Sequence, residues 1–146
     1  MTEAATNKNL ERIAKVVSLM PFAAQLGMEF VEAGDGWVKV RLPFKQENTT
    51  AADALHGGAI ASLLDTTGSM AAWTTSEIGG RRYFGSTVAM SINYLSAVVA
   101  QDCVAEGRVL KRGKEIIYSE VRVTNAEGKL CAQGNVIYRI IDRGQG

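Results

Sequence analysis

Histidine occurs once in the 146 residues and cysteine and proline twice each, and the formal charge is only +1, from 16 Lys and Arg against 15 Asp and Glu. Each scarcity excludes something. His56 has no second histidine with which to hold zinc, and Cys103 and Cys131 lack paired-cysteine spacing, so neither a metal centre nor a cofactor is expected. The balanced charge argues against a nucleic-acid partner, which calls for a strong basic excess. No apolar run approaches the ~20 residues of a membrane span. The start Met1-Thr2-Glu3 runs into a broken, charged pattern unlike a secretory signal, so no membrane partner is expected and the expected setting is the cytoplasm, with both thiols reduced.

What is present is 47% hydrophobic, enough for one domain over 1–146 that buries roughly 70% of its unfolded surface without staples. Residues 1–25 form an N-terminal helical segment: Leu10, Ile13, Val16, Val17 and Met20 recur every three or four residues from Asn9, and Pro21 is expected to halt them. Residues 26–142 form the core. Met28–Val31 and Trp37–Leu42 read as a hairpin around Gly34-Asp35-Gly36, and Phe44–Leu55 as loop. A long, largely buried helix is predicted over Gly58–Ile78, stopped by Gly79-Gly80. Tyr83–Leu95, Cys103–Lys111, Glu115–Thr124 and Leu130–Ile141 are predicted as strands of an antiparallel meander. The class is α+β: one central helix against about six strands, with an outer N-terminal helix.

The chemistry is carried by Leu55-His56-Gly57-Gly58 and by Asp65 beyond it. The amides of Gly57 and Gly58 open a helix without intrahelical acceptors, at the positive end of its dipole, where a developing oxyanion would be stabilised. An aspartate within a helix of small and apolar residues has poor propensity and a desolvation cost, so a catalytic reason is plausible: base on water, or direct attack on a carbonyl. Eight residues separate Gly57 from Asp65, about 12 Å along a helix. One carbonyl cannot touch both within one chain. If both act on it, Asp65 must meet Gly57 of a second copy, which predicts a two-fold homodimer with composite sites.

His-Gly-Gly with an acidic residue seven positions after the second glycine, followed by Gly-Ser-Thr-Val-Ala-Met-Ser-Ile-Asn-Tyr-Leu at 85–95, resembles the PaaI-type acyl-CoA thioesterases of the hotdog-fold superfamily, over about Leu26 to Ile140. The resemblance implies a helix wrapped by a sheet, dimers that pair sheets edge to edge and associate further into tetramers, and hydrolysis of an aryl- or short- to medium-chain acyl-CoA. Carried over by position, it implies Gly57 as oxyanion amide, His56 as the group that orients the loop or thioester oxygen, and the partner copy's Asp65 as nucleophile or base. Thr87 and Ser69 fall where such proteins carry hydroxyls lining the site. The amide side chain that the family places six residues before the histidine is replaced by Thr50, with Asn48 two residues earlier: either Asn48 reaches the site through a reshaped loop, or that polar contact is missing. Coenzyme A's phosphates call for a cationic rim, for which Arg81, Arg82, Lys111, Arg112 and Lys114 are candidates. Met70, Trp73 and Met90 read as core or as wall of an acyl pocket.

Two other readings keep the same fold. A 3-hydroxyacyl thioester dehydratase would move protons with histidine and a carboxylate, but the motif is arranged differently; a non-catalytic acyl-CoA binding or regulatory module would have no use for Asp65. A serine hydrolase is excluded by the lack of a Gly-x-Ser-x-Gly elbow.

Overall fold

The computed structural model of the chain describes residues 2–77 and 82–144. Helix α1 (Glu3–Leu19) begins six residues before the predicted start, because Thr2 caps it by accepting the Ala5 amide while Asn9, Ile13 and Val17 supply its buried face. Pro21 ends α1 but also opens a second short helix, α2 (Pro21–Leu26), which the sequence reading missed. Proline is tolerated there because the first helical N–H would have no acceptor in any case. Strands β1 (Glu29–Gly34) and β2 (Trp37–Leu42) make the predicted hairpin, and two single 3-10 turns, Gln46–Asn48 and Ala51–Asp53, occupy the loop that follows. Helix α3 (Gly57–Thr74) starts one residue before the prediction and ends four residues short of it: residues 75–77 are not helical, because the Thr75 and Ser76 amides turn back to the carbonyls of Ala72 and Trp73, while Ile78 and the predicted stop Gly79-Gly80 lie outside the described residues.

The remaining strands, β3 (Tyr83–Tyr94), β4 (Cys103–Arg112), β5 (Ile116–Asn125) and β6 (Leu130–Asp142), match the predicted spans closely, but not the predicted meander. The antiparallel sheet has the order β1-β2-β4-β5-β6-β3. Strand β2 takes the place beside β4, from Trp37 opposite Arg108 to Leu42 opposite Cys103, because its alternating Val38, Val40 and Leu42 need a continuous sheet to bury against α3. Strand β3 pairs instead with the free side of β6. Residues 95–102 carry the chain across, and on the way Val98 accepts the Leu55 amide just ahead of α3. A helix enclosed by a curled antiparallel sheet is the hotdog arrangement.

Burial of α3 has a direct cause in side-chain size. Leu63, Leu64, Thr67 and Ala71 are fully buried, and the sheet approaches so closely that a methyl at Gly107 of β4 would lie 2.9 Å from the Thr67 carbonyl oxygen. A methyl at Gly68 of α3 would lie 2.5 Å from Val136 Cγ2 of β6. The prediction that α3 is largely buried needs one correction: Ser62, Asp65, Thr66, Ser69 and Trp73 form a half-exposed stripe along it, because β3 is an edge strand and none of the described residues lies beyond it. At its far end α3 is tied to α1, whose Asn9 side-chain amide donates to the carbonyls of Trp73 and Thr74 at 2.9 and 3.2 Å. The Thr74 carbonyl thereby gains a donor at a helix end, and the Trp73 carbonyl, which also accepts the Ser76 amide, gains a second one. Among the described residues no helix is long and apolar enough to cross a membrane.

Two expectations follow from this packing. Gly68→Ala, which would gain about 1 kcal/mol in an exposed helix, is expected to lose roughly 1–3 kcal/mol here through overpacking against Val136, measured by urea unfolding. Both cysteines are free and buried, and burial pushes the Cys103 thiol up to about 12 from an ordinary 9.0. Unfolding releases the proton between those values, so this group's contribution to stability is complete below pH 9.0 and is lost as pH rises towards 12. A thiol reagent at neutral pH should label Cys103 only after denaturation.

Candidate active site

The site starts at the entry to α3. His56 is its N-cap, with an extended backbone (φ −63, ψ 136), and its Nδ1 accepts the Gly58 amide at 2.8 Å. An acceptor Nδ1 places the proton of a neutral imidazole on Nε2, which therefore remains a donor. This corrects one expectation: Gly58 has no amide to offer an oxyanion, because the cap uses it. The Gly57 amide makes no hydrogen bond among the described residues. It opens on a recess of about 320 Å³ lined by Leu55, Gly57, Ile60, Tyr94 and residues 95–97. The Tyr94 hydroxyl donates to the Gly57 carbonyl oxygen at 3.0 Å and so holds this first turn against β3.

Two turns along α3, Asp65 Oδ1 accepts the Thr87 hydroxyl at 2.6 Å, leaving Oδ2 without a partner among the described residues. Thr87 thus touches the carboxylate rather than acting as an ordinary strand threonine. Thr87 and Tyr94 both reach α3, although seven residues of regular strand would put them on opposite faces. The register between β3 and β6 shifts between Thr87 and Ala89, and this bulge adds the residue that restores the phase. Sequence reasoning missed both Tyr94 and the bulge. The odd spacing of two polar side chains within one strand was its only trace.

Other predicted residues separate. Ser69 lies one helical turn beyond Asp65 on the half-exposed stripe, but its hydroxyl donates to the Thr66 carbonyl at 2.9 Å. Asn48 does not enter the site. It is buried and donates to the Leu26 carbonyl at 2.7 Å, while its own backbone carbonyl accepts the His56 amide. Thr50 bonds the carbonyls of Ala51 and Ala54, so neither residue supplies the missing amide side chain. Arg82, Lys111, Arg112 and Lys114 are exposed at one end of the sheet without ion-pair partners among the described residues, and Arg81 lies outside them. No three His, Cys, Asp or Glu side chains cluster as metal ligands among the described residues.

Residues 53–132 match the thioesterase superfamily. The chain belongs to that superfamily. Human acyl-coenzyme A thioesterase 13 is 36% identical over 129 residues, covering 87% of this chain and 81% of its own. Among solved structures, a thioesterase from Haemophilus influenzae superposes with TM-score 0.81 at 22% identity, over 91% of this chain and 90% of that one. The PaaI protein of the E. coli phenylacetic acid degradation operon does so with TM-score 0.79 at 18% identity, over 99% of each chain. Both likenesses show the hotdog fold.

The thioesterase is a thioester hydrolase, and its family match spans both His56 and Asp65. The cap geometry yields a test that concerns stability alone. His56→Ala is expected to cost about 1 kcal/mol by removing the N-cap, whereas His56→Asn, a good capping residue, should keep most of it, both read from urea midpoints.

Proposed function

We propose that this thioesterase hydrolyses acyl-CoA thioesters to a free acid and coenzyme A through composite sites in a homodimer. The Gly57 amide of one protomer acts as oxyanion donor, and Asp65 of the other acts as base. The observation that carries the proposal is the pair itself: an unengaged helix-start amide and a carboxylate held by Thr87, about 12 Å apart on one helix. The acyl-CoA substrate is supported by the likeness to human acyl-coenzyme A thioesterase 13.

Assembly follows from the exposed edge. Strand β3 is 12 residues long, unpaired on its outer side among the described residues, and presents Phe84, Val88, Met90 and Tyr94 to solvent, with exposed Leu95 just past its end. A long apolar edge of this kind calls for cover. A two-fold axis between Met90 and Ser91 pairs two such edges antiparallel, with Tyr94 of one opposite Thr87 of the other. It sets the Gly57–Tyr94 end of one protomer beside the Asp65–Thr87 pair of the other.

In the reaction, the thioester oxygen lies against the Gly57 N–H. Asp65 Oδ2 removes a proton from water as the water oxygen attacks the carbonyl carbon. The tetrahedral intermediate collapses, the C–S bond breaks, and the proton held by Asp65 passes to the leaving thiolate. Thr87 favours base over nucleophile, because its hydroxyl keeps the carboxylate oriented and stands next to the place a water would take. His56 offers Nε2–H beside the same oxygen. Arg82, Lys111, Arg112 and Lys114 are proposed as the cationic rim for the phosphates of coenzyme A. The dehydratase reading loses support here, because it needs the imidazole as a proton carrier and Nδ1 is engaged by the helix cap.

Thiol release from acyl-CoA is expected to fall at least 100-fold in Asp65→Ala and roughly 10–100-fold in Thr87→Val. Gly57→Pro replaces the N–H with a ring carbon at a position where proline suits the helix and where an added Cβ would only come into ordinary contact with Tyr94, and is expected to lower kcat about 10²–10³-fold, as for an oxyanion donor. Co-assembling Asp65→Ala with Gly57→Pro chains should restore activity, because each mixed dimer holds one intact site. No recovery in verified mixed dimers would put the two groups in separate sites.

A further inference from the structure

The thioesterase has a second apolar recess that none of this chemistry uses. It lies between the N-terminal helix and the last turns of α3, encloses about 200 Å³, and is lined by Arg12, Ile13, Val16, Met70 and Trp73. The Arg12 stem borders it while the guanidinium, without an ion-pair partner among the described residues, stays in solvent. The opposite side of the Trp73 indole is fixed: its N–H donates to the Tyr138 hydroxyl at 3.2 Å, and its ring meets Tyr83 and Tyr138 edge to face. A methyl at Gly85 would strike both Trp73 and Tyr138, so the strand there is shaped to admit the indole. Asn9 clamps α1 onto the end of the same helix, so the recess has a firm roof.

Its position relative to Asp65 gives it meaning. Asp65, Ser69 and Trp73 succeed one another at four-residue intervals and share a face of α3, the half-exposed stripe. The hydroxyl proton of Ser69 is engaged by the Thr66 carbonyl, so the path between Asp65 and Trp73 holds small side chains and presents no unsatisfied donor. The path is about 12 Å long, eight residues at ~1.5 Å each. A zigzag hydrocarbon of ~1.5 Å bonds advances roughly 1.25 Å per carbon. About nine or ten carbons therefore separate a carbonyl at Asp65 from the recess.

We infer that the recess between α1 and α3 is the terminal chamber for a medium- to long-chain acyl tail, with Val16 and Met70 setting the chain length. The inference rests on the thioesterase reading and deepens it by naming the substrate class. A butyryl or aryl group stops short of Trp73. A dodecanoyl group reaches past it and buries its last carbons under α1, where removing methylenes from water favours binding. No other recess described combines an apolar lining with the Asp65 face of the helix.

The test uses Val16, which lies outside the catalytic groups and is only half-buried. Val16→Phe fills the chamber and Val16→Ala enlarges it. Relative kcat/KM is measured with butyryl-, octanoyl- and dodecanoyl-CoA on oligomer-matched protein. Val16→Phe is expected to lower the dodecanoyl to butyryl ratio at least tenfold with butyryl turnover within twofold of wild type, and Val16→Ala to hold or raise that ratio. An unchanged ratio in folded Val16→Phe overturns the chamber. A separate readout does not depend on turnover: in a Trp37→Phe background Trp73 is the sole indole, and its emission is titrated with dodecanoate. A saturable shift that Val16→Phe abolishes supports the chamber; no shift, or one indifferent to Val16, overturns it. Absence of wild-type turnover on every acyl-CoA would instead count against the hydrolase reading and leave the fluorescence result to decide the chamber.

Discussion

The seating of α3 on the sheet is the constraint on which the rest depends. Gly107 and Gly68 remove the two side chains that would hold helix and strands apart, and Val136 and the Thr67 backbone occupy the space. That contact burying Leu63, Leu64 and Ala71 is the centre of the core. It also sets the rotation of the helix about its axis. With the Thr67 face against the sheet, Asp65 and Ser69 are turned towards the uncovered side. The carboxylate avoids full desolvation because the core claims the opposite face. Thr87 then needs to supply only one hydrogen bond, leaving the second oxygen available.

Local chemistry and strand irregularity complete what that seating begins. His56 satisfies the second amide of the helix and leaves the first, so the capping requirement itself selects Gly57 as the available donor. The bulge after Thr87 lets one strand deliver a hydroxyl to Asp65 and another to the Gly57 carbonyl. Neither arrangement uses a metal ligand or a second histidine; each uses backbone groups that a helix end or an edge strand already exposes. The strand that bears Thr87 is an edge strand without an outer neighbour among the described residues, so the reactive stripe of α3 and the unpaired strand lie side by side. A second copy covering the strand would close over the stripe as well.

Much of this was legible in the chain itself. Val38, Val40 and Leu42 alternate, and their strand has the predicted limits; the turn residues after 95 separate the later strands near their observed ends. His56-Gly57-Gly58 marks a helix entry, and the aspartate eight residues after Gly57 stands out against its small neighbours. Local signals of this kind survive folding because each depends on contacts within a few residues. The misreadings have the same origin. Pro21 signals a stop although its ring also suits a first helical turn, and Asn48 resembles a site residue because sequence distance from the histidine cannot reveal that α2 offers its side chain the Leu26 carbonyl.

Element types, the helix entry and the separation of Gly57 from Asp65 were thus determined by the sequence alone, because periodicity, capping and helical rise are properties of short segments. Three things were decided only by the tertiary structure: that β3 pairs with β6 rather than β4, that its bulge brings Thr87 and Tyr94 to one side, and that α1 roofs an apolar recess beside Met70 and Trp73. Each arises from competition between distant segments for the same surface of α3, and no local pattern records which segment wins.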